Sequence, residues 1–465
     1  ALCERYGAYQ HDTGGAGAYW CPMTGARLAS ARGQPFSCEQ GGPPDSAAEM
    51  QKAMTYYLMY GDSAVDLVFS TMPYRDNPAY GPRNVPEINR WVDDNLALMH
   101  CVGKLTLPRP ALAILRSTRV SRLGLSEPWE WDLGRGGVQA AGRNFVYLEI
   151  PDLHNGLAGN YPVIIDDGTV VLTDEDIAAI RRYVRNGGVF VAQHHTGRHS
   201  PAAADTWALA AAYGLSVTPR YMSAENFHRW PLAKIRFTPE QDLFPSLRGK
   251  PAEGSGVMID HKGNAFTGAV DISGKGGDVR PVALWEDNGS MAVAEARDGQ
   301  GRFILLGTPF YMRMRDADGR WAFNNDLSAA LLDEFLTAAG APRDSWTGDR
   351  SLWGERWRSK NGVYDLYATA LMDPKAQGQV TADVVFRREA PLGEVFEVSA
   401  NGHPRRAVTW KDGRFTIPQL DYTAMRYRLF AAPRADAERG ALDWLRTMGE
   451  IWHALPPVPK PDARD

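Results

Sequence analysis

At 465 residues the chain exceeds one ordinary domain and is expected to form about two to four. Apolar residues make up 44% and charged residues 23%, the balance of a soluble globular protein, and the net charge of −4 argues against a nucleic-acid binder or a membrane-surface protein. No run approaches the roughly eighteen apolar residues that span a bilayer.

The first residues show no basic stretch followed by an apolar one, so no signal peptide is expected from them, and an extracellular or periplasmic location stays open. The cysteines (Cys3, Cys21, Cys38, Cys101) all fall in the first quarter without CxxC spacing, which argues against a zinc site and implies no disulfide framework. Free, partly buried thiols are expected. The fourteen tryptophans suit either sugar stacking or large cores.

In chain order, Gly7–His11 reads as a strand and Pro35–Glu39 as another. Asp45–Tyr60 reads as a helix, Ala64–Phe69 as a third strand, and Val85–Val102 as a second long helix with Ile88, Trp91, Val92, Leu96 and Met99 at helical spacing. Strand, helix, strand, helix predicts parallel pairing. Leu105–Pro110 reads as a linker.

A second α/β region follows, with strands at Ala111–Leu115, Asn144–Ile150 and Tyr161–Asp166. The next helix carries its own signals. Thr173 can cap it, and Asp174, Glu175 and Asp176 suit its first turn. Ile177, Ile180, Tyr183 and Val184 form its apolar stripe, and Gly187-Gly188 ends it. Val189–Ala192 is expected as a buried parallel strand, 220–300 as a looser insertion, Arg302–Gly307 as the last strand, and Asn324–Gly340 as a closing helix. Short strands at 364–368, 380–386, 395–398, 414–417 and 426–430 then suggest a small antiparallel sandwich. Gly440–Leu455 reads as a terminal helix and Pro456–Pro461 as a stiff tail.

The segment Gln34-Pro35-Phe36-Ser37-Cys38-Glu39-Gln40-Gly41-Gly42 holds the strongest chemical signal. A carboxylate at a strand end, followed by glycines that let a substrate approach, is how a (β/α) barrel presents a catalytic group. A barrel needs about 250 residues, and about forty precede Glu39, so only the end of one is expected here. Trp20 offers a stacking platform or ordinary packing. Tyr74, Arg75 and Asp76 follow the third strand, and an Arg75 beside Glu39 would keep that carboxylate ionised.

Three stretches carry a family resemblance. Pro35–Gly42 looks like the seventh barrel strand of the family 42 β-galactosidases and their clan A relatives, Gly61–Arg75 like the eighth, and Tyr161–Gly197 like the centre of an amidotransferase-like domain. The resemblance implies the end of a TIM barrel at 1–106, an amidotransferase-like (flavodoxin-type) α/β domain at 110–343, a small β-sandwich at 346–433, and a terminal helix and tail at 434–465. It implies that Glu39 is the nucleophile of a retaining glycosidase and that Tyr9, His11 and Asp12 bind the sugar or the nucleophile. Trp20, Tyr74 and Arg75 complete the expected substrate site. It further implies an oligosaccharide or polysaccharide substrate, no cofactor, and homo-oligomers formed through the α/β domain.

The family's acid/base glutamate has no matching position, although a retaining mechanism needs two carboxyls about 5 Å apart. The amidotransferase cysteine is also missing: Gln193-His194-His195 stands after the strand, so glutamine hydrolysis is not expected there. A non-catalytic oligomerisation or carbohydrate-binding protein is the alternative. His194, His195 and His199 with Asp205 suggest either metal ligands or satisfied histidines. Adjacent histidines on a strand face opposite ways, so at most one of His194 and His195 could join His199 unless the strand has already ended. Asp166-Asp167 could ligate a cation or line a crevice, or be ordinary loop residues. Gly274-Lys275-Gly276-Gly277 lacks Walker spacing.

Overall fold

The computed structural model describes residues 9–13, 21–34, 36–40, 64–66, 90, 91, 94, 105, 106, 109–123, 138, 143–220, 232–255, 257–259, 265–267, 269–274, 276–308, 314, 315, 321, 322, 326–347, 352–359, 362–371, 384–387, 395–398, 404–408, 410–417 and 427–434. They fall into two compact units. One joins Ala1–Pro108 to Asp344–Asp465, and the other is Arg109–Arg343.

The first unit begins with β1 (Tyr9–Thr13), helix α1 (Cys21–Ala31), β2 (Phe36–Gln40) and β3 (Ala64–Asp66). The strands pair in parallel in the order β1-β2-β3. Helix α1 lies on the β1-to-β2 connection and was not anticipated from the sequence. Ala26, Ala29 and Arg27 are buried on it. Its last turn closes tightly: the amide of Gln34 bonds the Ala29 carbonyl at 2.9 Å and that of Gly33 bonds the Ser30 carbonyl at 3.2 Å. Gly33 takes φ 65°, the left-handed position that ends a helix. The helix expected at 45–60, most of that at 85–102, and the terminal helix and tail lie outside the described residues. A two-residue strand, β4 (Leu105–Thr106), joins a sheet formed later in the chain.

In the second unit, β5 (Leu112–Arg116), β6 (Val146–Glu149), β7 (Val163–Asp166), β8 (Val189–Gln193) and β17 (Gly301–Leu306) pair in parallel in the order β6-β5-β7-β8-β17. This is a doubly wound order, and its reversal between β5 and β7 places a crevice at the carboxyl ends of those strands. Every residue of β7 and β8 is buried, as in a sheet covered on both faces.

Helix α2 (Asp174–Arg185) starts at a capping box, in which the Thr173 hydroxyl accepts from the Asp176 amide and the Asp176 carboxylate accepts from the Thr173 amide. It buries Ile177, Ile180, Tyr183 and Val184. Gly187 follows it with φ 103°, and a Cβ on Gly188 would stand 2.3 Å from the Tyr183 ring. The glycine pair therefore lets the chain turn under that ring.

The stretch expected to be a loose insertion extends the same sheet. It follows β9 (Leu215–Pro219) and contains β10 (Leu232–Phe237), β11 (Pro251–Ser255), the separate pair β12 (Val257–Ile259) and β13 (Ala265–Thr267), β14 (Val270–Gly274), β15 (Val279–Trp285) and β16 (Met291–Asp298). Strands β16, β15, β10 and β11 continue it antiparallel beyond β17. The pair β18 (Met314–Arg315) and β19 (Trp321–Ala322) and helix α3 (Asp326–Ala338) complete the unit.

The first unit resumes with two antiparallel sheets. One holds β20 (Ser345–Thr347), β23 (Val384–Arg387), β26 (Trp410–Lys411) and β27 (Arg414–Ile417). The other orders β25 (Pro404–Val408), β24 (Val395–Val398), β28 (Tyr427–Pro433), β22 (Tyr364–Leu371), β21 (Leu352–Ser359) and β4. Leu352, Tyr367, Leu371 and Phe430 from the larger sheet meet Val384, Phe386 and Ile417 from the smaller in one apolar core. All of β22 is buried, so the larger sheet is covered on both faces along this strand.

Candidate functional site

Glu39 is next to last in β2, the middle strand of the first parallel sheet. The register pairs Asp12 with Glu39 and Glu39 with Asp66, so three acidic positions share one rung at the carboxyl ends of adjacent strands. Neighbouring strands lie about 4.8 Å apart, which sets the spacing of that rung. His11 pairs with Cys38 and Tyr9 with Phe36. Being consecutive to Asp12, His11 occupies the alternate position of the ladder, so of Tyr9, His11 and Asp12 it is Asp12 that shares the rung of Glu39. Asp66 was missed in the sequence, although Ala64-Val65-Asp66 repeats the apolar-then-acid form of Cys38-Glu39. Trp20, Tyr74 and Arg75 lie outside the described residues.

The second unit ends two parallel strands in polar residues as well. Asp166, the last residue of β7, is fully buried. Its Oδ2 accepts from the Thr169 amide at 3.0 Å and from the Thr196 hydroxyl at 2.6 Å. Burial holds its carboxyl above the usual range, against the opposing pull of the hydrogen bonds from Thr169 and Thr196. The Thr196 hydroxyl in turn accepts from the Gln193 amide at 2.8 Å.

Strand β8 ends at Gln193, so His194 and His195 stand in the turn after it, where strand alternation does not apply. Their rings meet edge to face at 4.5 Å, with His195 Nδ1 3.3 Å from His194 Nε2. Burial, aided by the Arg198 charge, lowers His195 to about 3, so its imidazole is neutral at ordinary pH. His199 accepts from the Asp205 amide at 3.1 Å. Among the described residues, no group of three or more His, Cys, Asp and Glu is arranged to hold a metal.

The indole of Trp207 donates to the His194 carbonyl at 2.9 Å, and Trp207 itself takes φ 42°, a strained value for an aromatic residue. Asp166 Oδ2 is thus held in the interior by the Thr169 amide and the Thr196 hydroxyl. Asp167 is buried beside them. At the opposite, amino end of β7 a cavity of about 400 Å³ is lined by Leu153, His154, Tyr161, Arg182 and Asn186 among others. Among the described residues no helix is long and apolar enough to cross a membrane.

By sequence, no family model matches the chain, and no curated protein matches it. By structure it is similar to glycoside hydrolases. A catalytic Glu-to-Ala mutant of a GH42 β-galactosidase from G. stearothermophilus matches with a TM-score of 0.58 and 11% identity, over 92% of this chain and 59% of that one. The β-galactosidase of Bacillus circulans sp. alkalophilus gives 0.60 and 12%, over 91% and 59%. The α-L-fucosidase isoenzyme 2 of Paenibacillus thiaminolyticus gives 0.56 and 13%, over 92% and 65%. The chain therefore spans about three-fifths of the length of the β-galactosidases it matches, and across that length it shares their fold.

Proposed function

We propose that the chain forms part of a retaining glycoside hydrolase of β-galactosidase type, with Glu39 as its nucleophile. The observation that carries this reading is the fold likeness to GH42 β-galactosidases over 92% of the chain, with Glu39 at the carboxyl end of a parallel strand. The G. stearothermophilus relative, whose catalytic mutant replaces a glutamate, adds that a glutamate serves chemistry there.

In the proposed mechanism a Glu39 oxygen attacks the anomeric carbon as the glycosidic C–O bond breaks. A second carboxyl protonates the leaving oxygen, then removes a proton from the water that releases the sugar from Glu39. No position of this sequence matches the family's acid/base glutamate. Asp12, with Tyr9 and His11, binds the sugar or orients Glu39. Trp20 stacks on a ring, and Tyr74 and Arg75 line the site, Arg75 keeping Glu39 ionised. The substrate is an oligosaccharide or polysaccharide, and the mechanism uses no cofactor.

The amidotransferase-like unit serves assembly, holding subunits together, and the C-terminal antiparallel sheets, a small sandwich, support the barrel segment. The bonds that hold Asp166 Oδ2 to the Thr169 amide and the Thr196 hydroxyl support a structural role for the α/β unit. Replacing Glu39 with Gln in the full-length protein tests the assignment. Loss of aryl β-galactoside hydrolysis with retained folding is expected, and unchanged turnover removes Glu39 from the mechanism.

A further inference from the structure

One buried charged group in the first unit lies outside both constellations. Arg27 of α1 and Glu355 of β21 meet with both side chains fully buried, Nη2 to Oε2 at 2.8 Å and Nη1 to Oε1 at 3.5 Å. The Arg27 guanidinium also lies 5.6 Å from the centre of the Trp353 ring. Trp353 and Glu355 are two apart on β21 and so belong to one face of that strand. Helix α1 is therefore held on this face of the C-terminal sheet by a charge and an aromatic ring at once.

A lone buried ion of this kind is unfavourable, and a fork-to-fork pair fixes its partner in distance and direction. Helix α1 leads directly into β2. The Gln34 amide is tied back to the Ala29 carbonyl, and only Pro35 separates Gln34 from Phe36, where β2 begins. A displacement of α1 is thus passed to the strand that carries Glu39.

We propose that the Arg27–Glu355 pair is a positioning clamp that fastens α1 to the C-terminal sheet and so sets the place of the Glu39 strand. This rests on the assignment of Glu39 above for its catalytic consequence, but the mechanical claim stands apart from it. Neither residue touches substrate. Both act through α1, and an error of about 1 Å in the placement of a reacting group lowers turnover by about a hundredfold.

The test uses the full-length protein with Arg27→Lys, Arg27→Met and the double variant Arg27→Met/Glu355→Leu. Amide exchange is read by mass spectrometry across 36–40 and, as a control, across 163–166. With Arg27→Met, exchange across 36–40 is expected to rise about tenfold or more while 163–166 is unchanged. Arg27→Lys, which keeps the charge, recovers part of the protection. The double variant, which removes both charges, restores the melting temperature without restoring kcat for an aryl β-galactoside, and KM stays near the parent value.

Unchanged exchange across 36–40 in Arg27→Met overturns the clamp, as does a double variant with full kcat. The Glu39→Gln variant assayed alongside separates the two claims: if it keeps full activity the nucleophile assignment fails, while the exchange result still decides the clamp. If Arg27→Met does not fold, the same readouts on Arg27→Lys decide it.

Discussion

Each unit carries an acid at or next to the carboxyl end of a parallel strand, Glu39 in β2 and Asp166 in β7, and the two differ in what accompanies them. Asp166 closes β7 under a lattice of donors, the Thr169 amide and the Thr196 hydroxyl, with His194, His195 and the strained Trp207 folded nearby. Glu39 shares its rung with Asp12 and Asp66, and Gln40-Gly41-Gly42 follow it in the sequence. The position of an acid at a strand end is common to both. Asp166 commits one carboxylate oxygen to donors of its own unit, whereas Glu39 stands in register with two further acids.

The sharpest way to break the contrast is at the acids themselves. Glu39→Gln in the full-length protein is expected to lower kcat by about a thousandfold or more with little change in melting temperature, since a nucleophile contributes to the reaction and not to the core. Steady-state kinetics and thermal melting check both halves. Asp166→Gln is not the matching test, because the longer side chain would overpack its site; Asp166→Ala is.

Within the first unit, Arg27→Met alone leaves Glu355 buried without its guanidinium partner and is expected to cost up to about 3–5 kcal/mol, read as a lower denaturant midpoint. The double variant with Glu355→Leu regains most of this. Asp166→Ala strands the Thr169 amide and the Thr196 hydroxyl and is expected to cost about 1–3 kcal/mol with no loss of glycosidase turnover. Thr173→Ala removes the acceptor for the Asp176 amide at the start of α2 and is expected to cost about 1 kcal/mol.

Burial of the Glu355 carboxyl also gives a pH signature. Burial raises Glu355 from 4.5 to about 7, with Arg27 pulling it down and Asp344 adding to the rise. A folded-state value above the unfolded one means the folded protein binds the proton more tightly. The stability that Glu355 contributes is therefore complete below about pH 4.5 and is lost as pH rises through about 7. Glu355→Gln should flatten that part of the stability curve, measured by chemical denaturation across the interval.

The α/β unit was largely legible in the sequence because its signals are local. Thr173 with Asp176, the stripe Ile177–Ile180–Val184 and Gly187-Gly188 each act within a few residues, and α2 and β8 formed where they predict. The strands of 220–300 were harder, since β14 pairs with β9 and β15 with β10 across long separations (Val270 with Pro219, Trp285 with Ile235). Helix α1 and strand β21 were missed for one shared reason. Arg27 and Glu355 interrupt their apolar patterns, and each looks like a surface residue until the other is placed beside it. Asp66 escaped notice because its strand was read through to Phe69, which moved the acid from the strand end to its middle. The candidate site was legible as a glutamate and its neighbours in sequence. Its rung was not, because register between strands is a property of the fold.

The most direct test of the central claim is to trap the covalent intermediate. The full-length protein is incubated with a 2-deoxy-2-fluoro aryl β-galactoside, digested and mapped by mass spectrometry. The account predicts a single glycosyl adduct on the peptide that contains Glu39, absent from Glu39→Gln. An adduct on another carboxylate, or active enzyme that turns over substrate with inversion and forms no adduct, would contradict it.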